Sequence, residues 1–145
     1  MTNAPIAQDS SRSNESTTAK PLVRLFEAVA FAGLGVTAWI HLSELSSKFR
    51  EVPYLGVGYA LLVVACVVAG LGVVRGDKRG WLLAAAASAA TLIGFTLTRT
   101  TGLPGAMDDI GNWSEKIAIY SLIAEGVVLA VSGFVLARGH HRSGR

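Results

Sequence analysis

The sequence predicts an all-α membrane protein: a four-transmembrane-helix, up-down-up-down bundle with both termini cytoplasmic and a disordered N-terminal tail. Three observations lead there. Residues 52–74 and 80–98 carry no charge, and each reaches the length of about 20 residues that a helix needs to cross a hydrocarbon core of roughly 30 Å. Two further stretches, 22–42 and 117–137, are comparably apolar but hold acids: Glu27, preceded by Arg24, near the start of one, and Glu125 close to the middle of the other. Finally, 51% of the residues are apolar and only 16% charged, with the charges crowded into the ends and connections. That is the membrane pattern rather than the mixed surface of a soluble domain. The spans are placed at about 22–42, 52–74, 80–100 and 115–137, within one domain covering residues 21–138.

Taken in order, residues 1–20 are rich in Ser, Thr and Asn with almost no large apolar side chain, so they bury too little surface to order themselves and read as a flexible cytoplasmic tail. They contain no apolar core of a secretory signal, so span one is expected to be retained. Arg12, Lys20 and Arg24 precede span one, Arg75, Lys78 and Arg79 separate spans two and three, and Arg138, Arg142 and Arg145 follow span four. This distribution of basic residues puts both ends, including the basic tail 139–145, on the cytoplasmic side of a bacterial plasma membrane. The net charge of +3 is therefore a topology signal, not a nucleic-acid footprint. Short connections favour sequential antiparallel neighbours. Trp39, Tyr54, Trp81 and Trp113 fall near span ends, where amphipathic rings sit at headgroup level. Small residues recur at four-residue spacing as Ala28 and Ala32, Ala86, Ala90 and Gly94, Gly126 and Ala130, and Gly133 and Ala137, and these stripes are expected to mark helix contacts.

Polar side chains fall on narrow helical faces. At about 100° per residue, Ser114, Ser121, Glu125 and Ser132 share one stripe of span four. Ser88, Thr91 and Thr98 do the same in span three, and Glu27, Thr37, His41 and Glu44 lie within one arc of span one. Spans one, three and four are expected to turn these faces to a shared interior, leaving span two more exposed to lipid. Glu125 is the most informative residue, because an ionised carboxylate at mid-membrane costs several kcal/mol unless it is paired, hydrated or neutralised. It is expected to face inward, with Thr91 at comparable depth as its hydrogen-bond partner. Two roles remain open for it: a contact that fixes the helices, or a proton- or ligand-binding site involving Glu27 and Thr91. Glu27, about 7 Å into its span, is less diagnostic.

Other residue groups carry weaker signals. His41 and Glu44, three residues apart at the outer end of span one, with Asp108 and Asp109 on the same side, have the donor types of a divalent-cation site, although a solvated His–Glu pair is the plainer reading. Absence of a second histidine within any span, and of CxxCH, argues against haem. Cys66 stands alone, so no internal disulfide or paired-thiolate site is possible. No cofactor is expected. In the connection after span three, Gly102, Pro104 and Gly105 break the helix and Asp108 and Asp109 favour turns. A structural loop is therefore expected, with Asn112 nearby and Trp113 placed at the interface. Its polar side chains, Arg99 and Glu115 among them, are alternatively suited to closing a lid over the bundle mouth.

Three pieces of this chain, TGLPG at 101–105, DDIGNW at 108–113 and SLIAEG at 121–126, together with AWIHLSEL at 38–45, carry a resemblance. The region from about residue 22 to 137 resembles a group of small four-span integral membrane proteins of high-GC, actinobacterial-type bacteria. The resemblance implies the four-span fold and brings no mechanism with it. No phosphate-cradling glycine loop, HExxH or GxSxG occurs in a suitable context, which points away from an enzyme. The preferred reading is a non-enzymatic accessory or scaffold subunit of a membrane assembly, with the bilayer as solvent and a homo-oligomer or larger membrane complex as partner. Its competitor is a small proton- or cation-coupled transporter using Glu125. An outer-face metal or redox site at His41 and Glu44 is the third.

Overall fold

The computed structural model describes the backbone of residues 9–143 and the side chains of residues 21–138. It holds four helices, α1 (Asp9–Glu51), α2 (Pro53–Val74), α3 (Lys78–Thr100) and α4 (Lys116–Ser143). Each contains a segment long and apolar enough to cross a membrane.

The helix boundaries follow from local chemistry. Val52 alone separates α1 from α2 and is extended, with φ −143° and ψ 86°, because a residue that precedes proline is driven out of the helical region. Pro53 then opens α2, where its missing N–H costs nothing. At the far end of α2, Gly76 adopts φ +69°. The Asp77 N–H donates to the Gly72 carbonyl and the Gly76 N–H to the Val73 carbonyl, both at 2.9 Å. This is the glycine-dependent closure that satisfies orphan carbonyls at a helix end. Asp77 in turn caps α3, its carboxylate accepting from the Arg79 N–H at 2.9 Å. The turns are so short that neighbouring helices must run antiparallel, and the side-chain pairs agree: His41 meets Tyr59, Phe26 meets Phe134 and Gly72 meets Gly80.

The helices close a ring in which α1 packs on α2, α2 on α3, α3 on α4 and α4 on α1. The apolar core fills the half of the bundle nearer the chain ends, where Leu34, Cys66, Val73, Trp81 and Val128 pack together. Every span exposes large apolar side chains, among them Phe31, Leu61, Val64, Ile93 and Ile123. So large an exposed apolar surface is untenable in water and natural in lipid. The molecule is therefore described as a multi-pass membrane protein.

Several expectations require correction. The small-residue stripes do not make the helix contacts: Ala28, Ala32, Ala86, Ala90, Ala130, Gly133 and Ala137 are exposed. The close approaches occur elsewhere. A Cβ on Gly33 would strike Val128 of α4, and one on Gly72 would lie 2.6 Å from the Gly80 Cα. Spacing alone ranks all small residues alike, whereas bundle closure selects only those on inward faces. Trp81 is 4% exposed and belongs to the core, unlike Trp39, Tyr54 and Trp113, which are exposed. Residues 1–8 and 144–145 lie outside the described residues.

Candidate binding cavity

The half of the bundle away from the chain ends holds a cavity of ≈ 340 Å³. All four helices and the α3–α4 loop contribute to its wall. Span two, expected to be more exposed to lipid, also reaches the interior, since Tyr59 and Leu62 of α2 line the cavity. At the loop end the wall carries His41, Glu44, Lys48, Arg99, Asp109 and Glu115. Leu62, Thr91, Ser121 and Glu125 lie deepest. From the start of α4 to Glu125 the helix rises about 14 Å, so the cavity reaches well into the apolar depth of the bundle.

Glu125 is fully buried. Its Oε1 accepts a hydrogen bond from the Ser121 hydroxyl at 2.9 Å, one helical turn away, and its Oε2 has no partner. The inward stripe of α4 is thus as the spacing predicts, with Ser121, Glu125 and Ser132 all buried. Ser114, which precedes α4, is exposed. The expected Thr91 bond is not formed. The Thr91 hydroxyl donates instead to the Ala87 carbonyl of its own helix at 3.0 Å, the local bond always within reach of a helical threonine. Thr91 nevertheless shares the cavity with Glu125. Glu27 is half-buried and lies outside it.

At the loop end, Arg99 organises the charges. Only 6% exposed, its guanidinium bridges Asp109 and Glu115, both at 2.5 Å, and lies 5.1 Å from the centroid of the Phe95 ring. Lys48 pairs with Glu51 at 2.9 Å. The two cations of the wall are therefore matched by carboxylates, while Glu44 and Glu125 carry no ion pair among the described residues. The His41 Nδ1–H donates to the Thr37 carbonyl at 2.9 Å, and the ring packs edge-on to Tyr59 with centroids 4.7 Å apart.

The α3–α4 loop is an ordered cover. Gly102, Gly105 and Gly111 take φ of +73°, +79° and +78°, conformations that cost L side chains about 1–2 kcal/mol. The loop crosses to the α1–α2 corner, where the Pro104 carbonyl accepts from the Tyr54 hydroxyl at 2.8 Å and Gly105 lies over Val52. On its return the Gly111 N–H donates to the Arg99 carbonyl at 3.0 Å and the Asn112 N–H to the Asp109 carbonyl at 3.1 Å. Trp113 then packs edge-on to Phe95.

The metal reading fares differently. His41, Glu44 and Asp109 line the same cavity, but Asp108 is exposed and outside it. Among the described residues no group of three or more His, Cys, Asp or Glu side chains is placed to hold a metal ion. Arg99 as the hub, Ser121 as the partner of Glu125, and Tyr59 and Phe95 as wall rings are the features that spacing did not single out. One signal for Arg99 was available: it is the lone charge closing an otherwise apolar span. Compared with known proteins, the chain matches no protein family, no curated protein and no solved structure.

Proposed function

We propose that this protein is a small carrier of the bacterial plasma membrane, with its loop-covered cavity on the outer side and Glu125 as the acceptor of a proton or cation. The observation that supports this reading is the unpartnered Oε2 of a fully buried carboxyl at the deep end of a cavity. A carboxyl held in apolar surroundings is stabilised when a proton or a cation meets it. The cavity is the path along which either would arrive. Basic residues near the chain ends favour a cytoplasmic placement for both, which turns the mouth lined by Glu44 outward. In this scheme Glu44 offers a first carboxylate, Glu125 the second, and the Arg99 cluster holds the cover in place.

The scaffold reading draws its support from the exposed apolar helix faces, which lipid already accounts for, so the carrier reading takes precedence. The resemblance to four-span proteins of high-GC bacteria is compatible with either. The test is flux in reconstituted vesicles. Cation-coupled proton movement by the native protein should be abolished by Glu125→Gln, with the helical content unchanged. Absence of flux from the native chain, combined with recovery of a larger membrane complex in a mild-detergent pull-down, would favour the accessory role instead.

A further inference from the structure

We infer that the cavity binds a hydrophobic organic ammonium ion, one that retains an N–H on its nitrogen and carries a body of one or two rings. The inference rests on Glu125 as the cation acceptor and adds the class of cation. Four properties of the cavity converge on it.

Charge comes first. Glu44, Asp109, Glu115 and Glu125 line the wall against only Lys48 and Arg99, and the cations are already engaged by carboxylates. Apart from the buried, unpartnered Nε of Arg99, an anion would meet no positive group that is not already ion-paired. Size comes second. At ≈ 340 Å³ the space is roughly twice the ~150 Å³ that holds a benzene ring and lies at the small end of the range for organic ligands. A bare inorganic ion would leave most of it empty, and no cluster of three ligands exists among the described residues to coordinate one.

Third is the wall between mouth and base. Leu62, Leu122 and Ile40 supply apolar surface, and Tyr59 and Phe95 supply ring faces and edges, which suit an apolar body adjoining a positive nitrogen. Fourth is the acceptor itself. Glu125 Oε1 is occupied by Ser121 and Oε2 is buried without a partner, so a turn of the side chain toward the cavity would bring that oxygen to an incoming donor. An ammonium N–H satisfies it with a charge-assisted hydrogen bond, which a quaternary nitrogen cannot form.

The wall also provides a probe that leaves the acceptor intact. A Cβ built on Gly94 meets nothing within 4 Å, and Gly94 lines the cavity. Gly94→Leu would therefore add bulk at the cavity wall from a Cβ that meets nothing within 4 Å, and it replaces a poor helix former by a good one.

The experiment is calorimetric titration of the purified full-length protein in mild detergent with 2-phenylethylamine, which is cationic at neutral pH, and with neutral 3-phenylpropanol, sodium chloride and phenylethyltrimethylammonium. The expected result is saturable one-to-one binding of the amine. Loss of the charge-assisted bond should weaken the alcohol and the quaternary ion by about tenfold or more. Glu125→Gln should weaken the amine similarly, and Gly94→Leu should abolish its binding. If Glu125→Gln does not fold, the Gly94→Leu and alcohol comparisons still decide. Equal binding of amine and alcohol, or amine binding unaffected by Gly94→Leu, would overturn the proposal. Glu125-dependent proton or sodium flux with no amine binding would also overturn it while leaving the carrier reading intact. Stoichiometric amine binding without flux would uphold it and remove the carrier reading.

Discussion

Glu125 and Arg99 show how the cost of a polar group is handled at two depths of one bundle. Glu125, deep in the cavity, has one oxygen satisfied by Ser121 and one without a partner. Arg99, at the loop end, engages two carboxylates that remain partly exposed to solvent. Removing Arg99 leaves those acids facing each other near a covered cavity. Arg99→Met is expected to destabilise the protein by about 2 kcal/mol, below the usual 3–5 for a fully buried pair because Asp109 and Glu115 are hydrated in part. The unfolding midpoint in detergent would report it, and a change of less than about 0.5 kcal/mol would contradict the hub role. Cys66, 2% exposed in the core, should resist maleimide labelling in the folded protein and react only after denaturation. Glu125 was legible in the sequence because an acid within an apolar run is rare and costly. Its partner was not, since Ser121 and Thr91 both fit the helical spacing and only the actual rotamers chose between them.

Among the helices, glycines of identical type act in opposite ways. Gly80 sits at the α2–α3 crossing, where an added Cβ would strike the Gly72 backbone, whereas a Cβ on Gly133 meets nothing within 4 Å. Gly80→Ala should therefore force the two helices apart and lower stability by about 1–3 kcal/mol, the usual range for overpacking. Gly133→Ala should be neutral or stabilising by up to about 1 kcal/mol through helix propensity. Paired thermal-unfolding measurements would test the contrast, and equal effects would refute the assigned crossing. The α3–α4 loop adds a further case. Tyr54→Phe removes the hydroxyl that holds the Pro104 carbonyl and should speed amide hydrogen exchange in residues 101–113 while sparing α2. The breaking residues Gly102, Pro104 and Gly105 announced a loop in the sequence. Its course over Val52 depends on contacts between residues about fifty positions apart, such as Tyr54 and Pro104, which local turn chemistry does not encode.

At the scale of the whole molecule, four antiparallel spans place the beginning of α1 and the end of α4 at one end of the bundle and the cavity at the other. Reporter fusions at the two termini should therefore report the same side of the membrane, expected to be the cytoplasm from the basic residues flanking the spans. Opposite sides would break the bundle topology. The sequence by itself determined the number and order of the helices, because apolar runs of sufficient length have no other stable form in lipid. It determined as well which faces of α1, α3 and α4 turn inward, because polar side chains avoid hydrocarbon and their helical spacing is visible in a single chain. Only the tertiary structure decided which small residues touch, that Trp81 belongs to the core, and that a packed half and a hollow half share one bundle. Those outcomes depend on the shapes of side chains from different helices meeting in space, and close packing is a property of the assembled set rather than of any one segment.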